Sequence, residues 1–73
     1  MYVIKLMGLY QTDNINAYYR EQGKYCFDFV RSIEFATKFD SKDEETIVRF
    51  QRNSDWYLHQ YKAKNYEIVN LEE

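Results

Sequence analysis

Cys26 and His59 are the only thiol and the only imidazole in the chain. A nucleophilic cysteine needs a base within reach and a third group to orient that base. Cys26 sits inside Tyr25-Cys26-Phe27-Asp28-Phe29, an alternating strand pattern in which a cysteine serves as a small packing residue. Two such ligands cannot complete a tetrahedral zinc site. The acidic run from Asp40 to Glu45 superficially resembles a calcium loop. It fails because Lys42 stands at the third position and Glu45 at the sixth, where glycine is needed. These carboxylates also lack the apolar cover that would push their proton affinities apart for acid–base work. Gly8 and Gly23 stand alone, which excludes a phosphate-cradling loop. No catalytic residue, metal ligand or cofactor is assigned, and the chain reads as a non-enzyme.

Two stretches suit contact better than chemistry. Tyr18, Tyr19 and Arg20, with Lys24 and Tyr25, interleave aromatic and basic groups around one hairpin, the composition of a platform for single-stranded bases. The competing reading is a hairpin whose tyrosines pack on both faces of a sheet. The net charge of −2 and a pI near 5.4 favour that reading over a salt-sensitive nucleic-acid binder. The second stretch is Trp56, Tyr57, His59 and Tyr61, with Arg52 upstream. On a helix Tyr57 and Tyr61 share a face while Trp56 and His59 point elsewhere. A tryptophan left outside between Arg52 and His59 has the composition of an interface hot spot. The alternative is that Trp56 closes the end of the core.

The elements that must position these residues follow from pattern. Tyr2-Val3-Ile4-Lys5-Leu6-Met7 reads as a buried strand. Gly8 allows a tight turn, and Leu9-Tyr10-Gln11-Thr12 is expected to return as a second strand. Residues 17–20 and 24–30 form two more strands joined by Glu21-Gln22-Gly23, with Gly23 at positive φ. Tyr25, Phe27 and Phe29 share the core-facing side. Ser32 is placed to cap a short helical turn through residues 33–36, followed by Phe39 as an anchor. Ser41 and Glu44 have capping-box spacing, which predicts a helix from residue 42 to about residue 52, with Ile47, Val48 and Phe50 as its apolar stripe. Beyond Asn53-Ser54-Asp55 the stripe continues through Tyr57, Leu58 and Tyr61. That means either one kinked helix to about residue 62 or two helices, with Ser54 capping the second; a strand at 56–61 is the lesser alternative. Asn65 is expected to end the helix in a left-handed conformation. Tyr66-Glu67-Ile68-Val69-Asn70-Leu71 reads as a final strand.

The expected fold is α+β: a small antiparallel sheet of three to five strands, covered on one face by a helix or kinked helix pair from the C-terminal half, then a last strand. The most apolar strands, the first and last, belong at the centre or side by side. Seventy-three residues make a single domain, 1–73. Hydrophobic residues at 45% and charged residues at 30% mark a folded, soluble chain. A lone cysteine, with neither a signal peptide nor a membrane-length apolar run, points to a reducing, cytoplasmic setting. Eight Tyr, five Phe and one Trp are more rings than so small a core can hide, so some should serve a dimer contact or a protein partner. No membrane or small-molecule partner is indicated. Charge is segmented: residues 40–48 carry net −3 and residues 49–64 net +3, as in a helix with acids early and bases late.

The opening Tyr2-Val3-Ile4-Lys5, the segment from Ile33 to Phe39 leading into Asp40-Ser41-Lys42-Asp43-Glu44-Glu45, and the closing Tyr66-Glu67-Ile68-Val69 resemble a class of small uncharacterised proteins. These are encoded by bacteriophages and prophages of low-GC Gram-positive bacteria, with a YVIK, AxxF, SKEE, YEIV pattern. The chain departs from that pattern at Thr46, where alanine often stands, and in the aromatic stretch from Trp56 to Tyr61. The resemblance implies no catalytic residues. It implies an accessory phage protein made in a bacterial cytoplasm, acting on a host or defence component.

Overall fold

The computed structural model describes residues 1–23 and 26–72; Lys24, Tyr25 and Glu73 lie outside the described residues. Four antiparallel strands form one sheet in the order β3-β2-β1-β4: β1 is Tyr2–Met7, β2 Asn16–Glu21, β3 Phe27–Val30 and β4 Asn65–Asn70. Helices α1, Glu45–Arg52, and α2, Ser54–Gln60, come between β3 and β4. The α+β architecture expected from the pattern is present, and the first and last strands pair along their whole length, Tyr2 opposite Asn70 through Met7 opposite Asn65. β1 is central and β4 is an edge.

Period-two alternation sorts the strands into two faces. Ile4, Leu6, Ala17, Tyr19, Phe27, Phe29, Tyr66 and Ile68 project to one side and meet Ile47 and Phe50 of α1 and Tyr57 and Leu58 of α2. Phe50 is the largest fully buried side chain. Its ring lies 4.5 Å from Tyr57, 5.3 Å from Tyr66 and 6.4 Å from Phe29. Such edge-on and tilted contacts add to the area that each ring removes from water. The opposite face carries Lys5, Tyr18, Arg20, Asp28 and Glu67, with Val3 fully buried among the β1 positions.

The sheet is wedged open at one end. β1 and β2 pair from Lys5 opposite Tyr18 to Met7 opposite Asn16. Beyond that, residues 37–39 enter between them. Tyr2 and Phe39 exchange both backbone bonds at 2.8 Å, and Thr37 N–H donates to the Tyr19 carbonyl at 3.0 Å. Phe39, expected as an anchor, is buried there.

Several local expectations are corrected. Residues 9–12 do not form a strand. Leu9–Gln11 is a 3-10 turn in which Tyr10 and Gln11 take φ of 57° and 63°. Their N–H groups donate to the carbonyls of Tyr61 and Lys62, so tertiary bonds at the end of α2 set this conformation. Gly8 precedes them at φ 68°, and a Cβ there would lie 2.8 Å from the Thr12 carbonyl oxygen, so glycine is required. The capping box does not form. Ser41 Oγ instead accepts from Asp43 N–H, residues 41–44 make a turn, and α1 starts at Glu45 with Glu44 at its N-cap. Two separate helices are present, and the residue between them is Asn53, not Ser54. Asn53 Nδ2 donates to the Arg49 carbonyl and its own carbonyl receives the Trp56 N–H. The chain leaves α2 through Lys62 at φ 50°, while Asn65 opens β4. Ser32 precedes a 3-10 turn, Ile33–Phe35, without a side-chain cap bond. The third strand is shorter than its pattern: β3 starts at Phe27, Cys26 lies exposed ahead of it and does not pack as a strand residue, and Glu21 ends β2 instead of opening the loop. The part of that expectation falling on Lys24 and Tyr25 lies outside the described residues.

Candidate functional site

The hairpin candidates are pulled apart by the sheet. Tyr18 and Tyr19 are neighbours in sequence and lie on opposite faces. Tyr18 sits half-buried on the face away from the helices, while Tyr19 is 6% exposed in the core. Arg20 is held by Asp28 directly across the ladder through Nε at 3.0 Å and Nη2 at 2.6 Å, a bidentate pair, and Gln22 Nε2 adds a bond to the same carboxylate at 2.8 Å. The Arg20 hydrogen bonds hold the Asp28 carboxyl below its usual range. The hairpin thus offers one accessible ring and a neutralised cation; the Lys24 and Tyr25 contribution to that platform lies outside the described residues.

The α2 candidates are split as helical spacing predicts. Tyr57 and Tyr61 turn inward, Tyr57 onto Phe50 and Tyr61 onto Phe29 at 4.8 Å. Burial raises the Tyr61 hydroxyl above its ordinary value. Trp56 is left 52% exposed, its ring edge-on to Tyr57 at 4.9 Å. Arg52 and His59 are exposed as well. The bland alternative, in which Trp56 closes the core, is not what the packing shows: Phe50, Tyr57 and Tyr66 fill that position.

Tyr57 also belongs to a feature that spacing did not disclose. An open cleft of about 380 Å³ lies between the hairpin and the helices. Its apolar floor is Tyr19, Phe27 and Tyr57; Tyr19 and Phe27 stack at 5.6 Å, and Tyr57 stands 5.5 Å from Phe27. Glu21, Gly23, Cys26 and Arg49 form its rim. Thr46 Oγ1 donates to Glu21 Oε1 at 3.0 Å, and Arg49 is loosely paired with Glu45 at 3.7 Å. Burial, reinforced by Glu21 and Tyr57, pushes the Tyr19 phenol up to about 12, so at neutral pH it remains a hydrogen-bond donor. His59 does not line this cleft, so the sole imidazole is not brought to Cys26 there. Among the described residues no group of three His, Cys, Asp or Glu side chains is placed to hold a metal ion, and no helix is long and apolar enough to cross a membrane. Among the described residues, the cleft sets three rings beside one cation, Arg49, and one carboxylate, Glu21. Its volume is at the small end of ligand sites. Arg49, Glu21 and Phe27 went unmarked as site residues because they come from three separate elements, and no local spacing links them.

No family model matches the chain, and no curated protein or solved structure matches it either.

Proposed function

We propose that this chain is a small, non-enzymatic interaction protein that docks on another protein through the outer face of α2, with Trp56 as the anchor and the adjoining cleft as a socket for a partner side chain. The observation that carries this reading is the exposure of Trp56 beside a core already filled by other rings. Tryptophan with arginine nearby is the composition in which binding energy concentrates. The likeness of its strand and turn motifs to short phage proteins supports an accessory role in a bacterial cytoplasm, modulating a host or defence component. A nucleic-acid role for the hairpin finds less support, since Tyr19 is buried and Arg20 is paired.

The test is a tagged pull-down from lysate of a low-GC Gram-positive host, with and without nuclease, using the wild-type chain and Trp56→Ala. Stoichiometric, nuclease-resistant capture by the wild type, lost in a Trp56→Ala protein with an unchanged melting curve, is the expected result. Capture that vanishes with nuclease would transfer the role to the hairpin. A Trp56→Ala protein that loses stability while retaining its partner would overturn the assignment of the anchor.

A further inference from the structure

The edge of the sheet at β4 is open and follows a regular hydrogen-bonding pattern. Leu71 N–H donates to the Met1 carbonyl at 2.8 Å, and Tyr2 spends both its backbone bonds on Phe39 at the other side of β1. Antiparallel ladders alternate, so the odd-numbered positions of β4 face β1, and Tyr66, Ile68 and Asn70 direct their N–H and C=O groups outward. Tyr66 N–H is occupied by the Asn65 side chain at 2.8 Å. Among the described residues, no backbone or side-chain bond reaches the outward groups of Ile68 or the Asn70 N–H. Native edges are normally protected by proline, by charged side chains and lysine above all, by a bulge or by cover from another element. The chain contains no proline, β4 contains no lysine and a single charge, Glu67, and its pairing with β1 runs without a bulge. The other edge, β3, is four residues long against six for β4.

We infer that β4 pairs with β4 of a second copy, antiparallel about a two-fold axis at Ile68, to make one continuous eight-stranded sheet. This surface is separate from the α2 face proposed above. The sequence is self-complementary in this register. The two Ile68 residues exchange both backbone bonds, Tyr66 lies opposite the second copy's Asn70, and Glu67 opposite its Val69. Ile68, half-buried at the margin of the core, meets its own counterpart on the helix-covered side. The one charge on the strand, Glu67, is never opposite itself, and each Glu67 also has Lys5 beside it on β1. A symmetric contact of this kind closes at two copies instead of growing into a filament.

The register makes Val69 the diagnostic position, because any charge placed there faces Glu67 of the second copy twice per dimer. Sedimentation equilibrium up to roughly 1 mM chain should show a monomer–dimer equilibrium. Val69→Glu should weaken it and Val69→Lys should tighten it, each by roughly tenfold for two cross-strand charge pairs. Both variants place a charge on the same half-buried site, so a general folding defect would move them in the same direction. Amide exchange provides a second readout. The Ile68 N–H should become protected as concentration rises, while the Val69 N–H, bonded within the chain to β1, should be protected throughout. Trp56→Ala should leave the dimer intact. A monomer over the whole range would overturn the inference. So would an association that responds in the same direction to Val69→Glu and Val69→Lys, or an Ile68 amide whose exchange ignores concentration.

Discussion

The hairpin β2–β3 and the helix α2 contain nearly the same ingredients, adjacent aromatic residues with a basic residue close by, and the fold treats them differently. On a strand, consecutive side chains go to opposite faces, so Tyr18 and Tyr19 cannot form one platform and the better ring is lost to the core. The cation that would have served it lies across the ladder from a carboxylate and is consumed by that pair. On a helix, neighbours diverge by only part of a turn. Tyr57 can therefore stack on Phe50 while Trp56, next to it, stays in solvent and still touches Tyr57 along its edge. A contact surface survives where backbone geometry leaves one large ring outside and braces it from within.

The sharpest way to break this comparison is to remove the paired tyrosines one at a time. Tyr19→Ala should cost about 3–4 kcal/mol, because it opens a cavity beneath Phe27 and Phe39. Tyr18→Ala should cost less than about 1 kcal/mol. Urea denaturation measures both, and equal losses would mean that the two faces are not distinct. In alkali, ultraviolet titration should show one tyrosine ionising near pH 12. The folded value exceeds the unfolded value of about 10, so the stability linked to the neutral phenol is complete below that pH. It is lost as pH climbs towards 12, and Tyr19→Phe should reduce the loss, leaving the part linked to Tyr61, whose hydroxyl burial also raises. A smaller effect attends the Arg20–Asp28 pair, which is partly exposed to water. Asp28 is depressed in the folded state, so its contribution is present above the ordinary carboxylate range and fades as pH falls through the folded value. Asp28→Asn should flatten that acid limb slightly in thermal melts between neutral and low pH. Smallest in stability is Trp56→Ala, expected within about 0.5 kcal/mol of wild type by the same urea measurement while partner capture falls away.

Much of the scaffold was legible because the responsible signals are local. The apolar run at residues 2–7 and the Ile47–Phe50 spacing each declare their element within a few residues. What misled were positions governed from a distance. Leu9-Tyr10-Gln11-Thr12 has strand composition, but bonds from Tyr10 and Gln11 to the far end of α2 curl it into a left-handed turn. Ser41 and Glu44 have capping spacing, but the Ser41 hydroxyl is used one turn too early, on Asp43. The α2 face could be anticipated because helix periodicity alone separates Trp56 from Tyr57. The cleft could not, because Cys26 and Arg49 meet only after the hairpin folds onto α1.

The pairing of β1 with β4 has a consequence for how the chain acquires its structure. Met1 and Glu72 are in contact although 71 positions separate them in sequence. The central strand thus receives one of its two neighbours only after residues 65–70 exist. While the chain emerges from a ribosome, β1 can pair with β2 and accept the wedge at Phe39, yet its other edge stays unpaired. Closing so long a loop is entropically expensive and slow compared with forming α1 or the β2–β3 hairpin. Pairing of β4 with β1 is therefore expected to follow the local elements. Interrupting translation before residue 65 would release a chain with its central strand open on one side, a target for proteolysis or for pairing with the wrong neighbour.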